Sequence, residues 1–441
     1  MASNAKSPVE PEPFGLKFYA GFASCIAPVL HLSKPLLSKY GGFRDTVPER
    51  LGDFSSDVMN VSENRKGRKL VWIHAVSVGE AACSGPIIDS IRERNPDVFI
   101  AISTTTFTGR DFIKKNLDPD LTFFFPLDIP SAQKKLVDIL KPDCFVDVEV
   151  ELWPNCFRAL VNAGVPLVLA NGRISDRSAN PPPITRGVYK WLFSSLDGLF
   201  MRSKEDVERV IRLGAPKDRT HLAGNLKFAA AGKPLSLEER NTLRKKLGAG
   251  EGDKIFVAGS THPGEDEQVL DAYIKIKGKI GENVVLVVAP RHLEQVERIL
   301  GLIKSAGEKC VRWSQIGDTG ASEKCIVVDT IGELMKIYGA SDVALVCGSM
   351  VKRGGHNVLE PVAVGTPAVH GQSMDNFHDL KKVLDDANLI REVADSDDLA
   401  ETVVEILNTV NRDEYYGKAR ELIDRQQKAS DMIADFVVSK L

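Results

Sequence analysis

In this chain of 441 residues, carboxylates, hydroxyls and cations recur just after short apolar runs. Open α/β sheets bind ligands at such strand ends. The first is His74-Ala75-Val76-Ser77-Val78-Gly79-Glu80. Gly79 permits a tight strand-to-helix turn and sets Glu80 at or near a helix N-terminus, a placement that favours the carboxylate form a base must have. A carboxylate that only complements the helix dipole would sit the same way. Ser103-Thr104-Thr105-Thr106-Phe107-Thr108-Gly109-Arg110 offers five hydroxyls, fit to bind sugar hydroxyls or to cap the next helix. In Glu149-Val150-Glu151-Leu152-Trp153-Pro154, carboxylates lie inside or just past an apolar strand, which is costly unless they are paired or working. Alternation predicts Glu149 and Glu151 on one face. The stretch from Asn171 to Ser178 holds two arginines, suited to phosphate or carboxylate or to a plain surface loop. Lys227, in Gly224-Asn225-Leu226-Lys227-Phe228, can meet an anion or snorkel at the surface.

The second half repeats the pattern. Gly259-Ser260-Thr261-His262-Pro263-Gly264-Glu265 reads as a loop suited to a phosphate at a helix N-terminus. Pro290-Arg291-His292 follows a strand directly, as does Thr330-Ile331-Gly332-Glu333-Leu334. The run from Gly348 to Glu360 packs paired glycines, cations and a carboxylate into one loop-to-helix passage, and Glu360 just inside that helix can hold both hydroxyls of a ribose.

These positions imply elements that hold them. Apolar, β-branched runs predict strands at Leu70–Ala75, Val98–Ser103, Leu121–Phe125, Cys144–Glu149, Pro166–Ala170 and Leu199–Arg202. The series restarts at Ile255–Ala258, Val284–Val288, Ile326–Asp329, Val343–Val346 and Ala368–His370. Amphipathic stretches such as Ser131–Leu140, Glu265–Lys277 and Leu293–Ala306 alternate with them, which predicts an α/β protein of two Rossmann-like domains facing across a cleft. The expected division is a tail and membrane-contacting helix at 1–42, an acceptor domain at 43–230, a nucleotide domain at 231–413 and a final helix at 414–441 that packs back on the first domain. Phe18 to Leu30 is uncharged and mostly apolar, but Pro28 interrupts it and leaves it short of the ~20 residues of a spanning helix. It reads as a helix packed on the domain or as an interfacial membrane contact.

Composition excludes other classes. A net charge of −3 gives no global field for nucleic acid. The seven cysteines are scattered without metal-ligand spacing and read as reduced thiols. No P-loop or GxGxxG follows a strand, no GxSxG is present, and no DxD-type cluster suggests an obligatory metal.

The ordered run HAVSVGE, TTTFTGR, EVELWP, NGRISDRS, GNLKF, STHPGE, APRH, DTIGEL and GGHNVLEP, between Arg50 and Asp379, resembles the 3-deoxy-D-manno-octulosonate (Kdo) transferase family. The resemblance implies the GT-B architecture and transfer of Kdo from CMP-Kdo to the 6′-hydroxyl of lipid IVA, a lipid A precursor, with inversion and without a bound metal or other cofactor. It implies Glu80 as general base, and Glu149 and Lys227 as transition-state-stabilising residues. Pro290, Arg291, Gly332, Glu333, Leu334, Asn357, Val358, Leu359 and Glu360 would then form the CMP-binding segments. Expected partners are CMP-Kdo, lipid IVA and a membrane surface: the cytoplasmic face of a bacterial inner membrane, or an organelle membrane such as the mitochondrial one in a eukaryote. Gly172, Cys347 and Gln372 depart from the family's usual alanine, glycine and proline. Another nucleotide-sugar transferase, an epimerase on a similar scaffold, or a catalytically silent nucleotide-binding protein are the alternatives. Product analysis separates the first two, and retention of Glu80, Glu149 and Lys227 together argues against the third.

Overall fold

The apolar runs form two parallel sheets, buried on both faces as parallel sheets usually are. The computed structural model describes residues 10–34, 46–175, 178–228, 234–317 and 319–441. The expected boundary at residues 42 and 43 lies outside them. The chain divides into two units, one of Met1–Ala230 with Arg425–Leu441 and one of Ala231–Asp424.

In the first unit, β1 (Leu70–His74), β2 (Phe99–Thr104), β3 (Leu121–Phe124), β4 (Cys144–Val148), β5 (Leu167–Gly172), β6 (Gly198–Met201) and β7 (Thr220–Leu222) pair in parallel. Their order is β3-β2-β1-β4-β5-β6-β7. Alternation along the strands sends Trp72, Phe123 and Phe145 into one core, where Phe157 joins them. Val71, Ile73, Ile100 and Val146 enter another, closed by Ala429, Ile433, Ala434 and Val437 of the helix Arg412–Val438. Arg94 fastens that helix, 2.9 Å from Asp431 and 2.5 Å from Asp435. The helix begins two residues before the expected Glu414, because the Asn411 side chain accepts from the Asp413 and Glu414 backbone N–H groups.

The apolar N-terminal segment forms one helix, Phe14–Leu32, which runs through Pro28 instead of breaking there. Proline removes one N–H donor, and the packing of Leu16, Ala20 and Ala27 on the unit outweighs that loss. Its contacts are with the helices Pro130–Leu140, Pro154–Asn162 and Pro183–Ser194. By length and composition it could also cross a membrane.

In the second unit, β8 (Lys254–Thr261), β9 (Val284–Pro290), β10 (Cys310–Arg312), β11 (Cys325–Val327), β12 (Val343–Val346), β13 (Ala368–His370) and β14 (Ile390–Glu392) form a parallel sheet. The order is β10-β11-β9-β8-β12-β13-β14. Strand order reverses between β1 and β4 in the first sheet and between β8 and β12 in the second. Such switch points are where doubly wound sheets bind ligands. Glu80 follows β1 and Glu149 follows β4, while His262 follows β8 and Gly348 follows β12.

Candidate active site

Glu80 lies in the first turn of the helix Val78–Arg94, capped by Ser77. Its carboxylate accepts from the Val76 N–H at 2.6 Å and from the Ser77 hydroxyl at 2.9 Å. The Val76 carbonyl in turn accepts from the hydroxyls of Thr104 at 2.9 Å, Thr106 at 3.1 Å and Thr105 at 3.4 Å. The hydroxyl-rich stretch therefore braces the Glu80 turn, and Thr106 also caps the helix Phe107–Asn116. His74 is structural: its ring stacks on Phe125 at 4.0 Å, Nδ1 lies 2.9 Å from the Ser103 hydroxyl, and burial pushes its pKa down to about 3.

The hydrogen bonds at the helix start favour ionised Glu80, as expected, but burial outweighs them. Burial raises its pKa, and the nearby Glu149 charge adds to this against the Val76 and Ser77 hydrogen bonds. A carboxylate with raised proton affinity is a better general base, provided that it is still ionised at working pH.

The shared strand face expected for Glu149 and Glu151 is corrected. β4 ends at Val148, and Glu149 takes a left-handed conformation with φ of 75°, which ends the alternation. Asn171, at φ 55° in an irregularity of β5, meets it. The Asn171 amide donates to Glu149 Oε1 at 3.3 Å, while its carbonyl oxygen accepts from the Leu226 N–H at 3.0 Å. Lys227 Nζ stands 3.8 Å from the same Glu149 oxygen. One asparagine thus ties the Glu149 turn to the Lys227 turn. Left-handed non-glycine residues store roughly 1–3 kcal/mol each and concentrate at functional sites. A Cβ at Gly172 would stand 2.6 Å from Met201 Sδ, so a larger residue there would require the Met201 side chain to shift.

Asp147 and Glu151 complete the group. Buried Asp147 accepts from the Glu151 N–H at 2.9 Å, and burial holds its pKa well above the ordinary value. Burial, with the charges of Glu80 and Glu149, raises Glu151 to about 7. Stability tied to the Glu151 proton is fully present below the ordinary value of 4.5 and is lost as pH rises through about 7. Glu151→Gln should therefore match the parent at pH 4.5 and exceed it by about 1–3 kcal/mol at pH 8. Urea denaturation at the two pH values reads this, and a difference independent of pH would refute the assignment.

In the second unit, Glu265 is wholly buried. It accepts from the N–H groups of Gly348 at 2.7 Å, Met350 at 2.9 Å, His262 at 3.0 Å and Ser349 at 3.1 Å. Of the expected phosphate loop Gly259–Glu265, the His262 N–H is taken by Glu265 itself. The helix that follows, Asp266–Ile280, opens with Asp266 and Glu267, both paired to Arg298. Beside it, His262 Nε2 lies 2.9 Å from His356 Nε2, with the rings parallel within 3°. Burial, then Arg291 and the other histidines, lowers His356 to about 4, so the pair shares one hydrogen bond between neutral rings.

Arg291, directly after β9, is exposed, and its N–H donates to the Thr261 carbonyl at 3.0 Å. Glu360 is the second residue of the helix Leu359–Ala363 and accepts from the Asn357 amide at 3.4 Å. Burial raises its pKa, opposed by Asn357 and by the Arg291 charge. The structure thus groups Arg291, Asn357 and Glu360. Val358 and Leu359 are buried. Pro290 ends β9, Gly332 sits exposed at φ 95°, and Glu333 and Leu334 open the helix Leu334–Ala340. Among the described residues, no cluster of three or more His, Cys, Asp or Glu side chains is arranged to hold a metal ion.

The sequence profile of the family described as 3-deoxy-D-manno-octulosonic-acid transferase (kdotransferase) matches residues 45–230. A 3-deoxy-D-manno-octulosonic acid transferase of Haemophilus influenzae is 30% identical over 405 residues, covering 91% of this chain and 93% of that protein. The Arabidopsis thaliana protein named "Probable 3-deoxy-D-manno-octulosonic acid transferase, mitochondrial" is 30% identical over 347 residues, 77% of this chain and 76% of that one. Among solved structures, the UDP-GlcNAc 2-epimerase of Neisseria meningitidis shares the fold, with a TM-score of 0.56 at 13% identity over 84% of this chain and all of that one. With two Rossmann-like units of the GT-B class and a relative matched along nearly its whole length, this chain belongs to the Kdo transferase family of glycosyltransferases.

Proposed function

We propose that the protein moves Kdo from CMP-Kdo to the 6′-hydroxyl of lipid IVA, with inversion and without a bound metal. The observation that carries this reading is the buried Glu80, its proton affinity raised, near Glu149 and its partner Lys227. The acceptor hydroxyl gives its proton to Glu80 as its oxygen bonds to the anomeric carbon. The bond from that carbon to the CMP oxygen breaks, and CMP leaves with the electron pair. Lys227, oriented through Glu149 and Asn171, stabilises charge that develops in the transition state. In the second unit, Arg291 meets the phosphate, while Glu360 and Asn357 hold the ribose hydroxyls. Phe14, Phe18 and Phe22, exposed on the N-terminal helix, support contact with a membrane surface. That surface is the cytoplasmic face of the inner membrane in a bacterium, or an organelle membrane in a eukaryote.

The test is a transfer assay with CMP-Kdo generated in situ and lipid IVA, read by mass spectrometry. The expected product is heavier by one or more Kdo units. Free Kdo with unmodified acceptor, while CMP still binds by calorimetry, would refute the acceptor.

A further inference from the structure

A cavity of about 1110 Å³ in the first unit is lined by the helices Phe14–Leu32 and Pro183–Ser194. It exceeds the ~300–1,000 Å³ usual for small-molecule sites. Phe18 and Phe22 line it from the first helix, Val188 and Leu192 from the second, and Val150 and Leu152 from the chain after β4. Polar ties hold the first helix in place. The Tyr19 hydroxyl bonds to Asp128, Glu10 pairs with Lys190 at 2.8 Å, and Glu12 pairs with Arg158 at 2.8 Å. These ties hold the helix while leaving Phe18 at 65% and Phe22 at 58% exposure, so the apolar space is set open by a scaffold outside it.

The cavity is continuous with the reacting end of the sheet. Val150 lies between Glu149 and Glu151, and Arg173, also in its lining, donates its backbone N–H to the Glu149 carbonyl at 3.3 Å. Arg173, Ser175 and Ser178 add polar groups beside the apolar walls. A molecule that places a hydroxyl at these carboxylates can therefore lay an apolar extension into this space, with its polar part against Arg173 and the serines.

We propose that the cavity seats an acyl chain of the acceptor, which makes the N-terminal helix part of the acceptor site. This rests on the reading that the acceptor is a lipid. The occupant is the acceptor's own chain, because the walls begin at the residues that flank the carboxylates. Each methylene that an acyl chain buries adds to its affinity, so chain length should set affinity.

The experiment introduces bulk with Val188→Trp and compares lipid IVA with its fully deacylated disaccharide in detergent. Binding of a fluorescent dodecanoyl probe is measured in parallel, and thermal melts confirm folding. Phe22→Asp, at an exposed lining position, repeats the comparison should Val188→Trp fail to fold. The expected result is a KM for lipid IVA raised at least tenfold at unchanged kcat, unaltered kinetics with the disaccharide, and loss of probe binding. Equal KM values for the two acceptors in the parent protein would overturn the proposal. So would a variant that binds acceptor-free phospholipid vesicles less well without changing KM, since the occupant would then be bulk lipid. Loss of probe binding in a protein that transfers to neither acceptor would refute the reaction and keep the acyl seat, so the two failures are distinguishable.

Discussion

Glu80→Gln is expected to lower kcat by about 10³-fold, within the ~10²–10⁴ that a positioned general base contributes, and to leave CMP binding unchanged. Glutamine keeps the shape of the turn. Its carbonyl oxygen can accept from the Val76 N–H, and its amide can donate to the Ser77 hydroxyl, which works in either direction. What is lost is the lone pair that takes the acceptor's proton. The parent's rate should rise with pH through the Glu80 pKa, above the ordinary 4.5, because the base must be ionised. That acid limb should vanish from the residual activity of the variant. Single-turnover kinetics across pH, with calorimetry for CMP, check both points. Loss of transfer together with loss of CMP binding would sink the base assignment.

Glu265→Gln should be the most destabilising single-atom exchange in the second unit, by about 3–5 kcal/mol. Each oxygen of the buried carboxylate accepts two backbone N–H groups, Oε2 those of His262 and Gly348, Oε1 those of Ser349 and Met350. An amide nitrogen accepts nothing, so either orientation sets a donor against two donors. Each buried N–H left unpaired costs roughly 1–3 kcal/mol. The loop after β12 leads to Asn357 and Glu360, so CMP affinity should fall at least tenfold along with stability. Urea denaturation and CMP titration read the two effects. Unchanged stability would mean that the four bonds are dispensable.

The strands before Glu80, Glu149 and Arg291 are legible because parallel strands buried on both faces read as near-continuous apolar runs, interrupted in β4 by Asp147. The three-residue β10 and β14 are not: Cys310–Arg312 and Ile390–Glu392 sit at sheet edges and carry charge. Glu80, Glu149 and Lys227 can be picked out because chemistry-bearing residues at strand ends stand out by type. Their electrostatics cannot, since desolvation of Glu80 depends on what packs over it. Asn171 was hidden for a related reason. Its work follows from a left-handed turn within β5, and an asparagine beside a glycine in sequence signals only a turn. Glu265 reads as part of a ligand cradle, because nothing local shows that three of its four partners lie more than eighty residues on, at Gly348 to Met350.

The helix Arg412–Val438 makes the first unit discontinuous along the chain. A ribosome delivers its seven strands first, together with Ile87, Ile88 and Ile91 of the helix Val78–Arg94, but Ala429, Ile433, Ala434 and Val437, which complete the same core, arrive only after the whole of the second unit. At about 5–20 residues per second, that interval lasts on the order of 10–40 s. Throughout it, the part of that core which the last helix covers lies open and adhesive, whereas the second unit is continuous and free to close as it emerges. The unit made first is thus completed last. A fragment cut at residues 45–230, the limits of the family profile, would lack Ala429, Ile433, Ala434 and Val437 and leave that core incomplete for good.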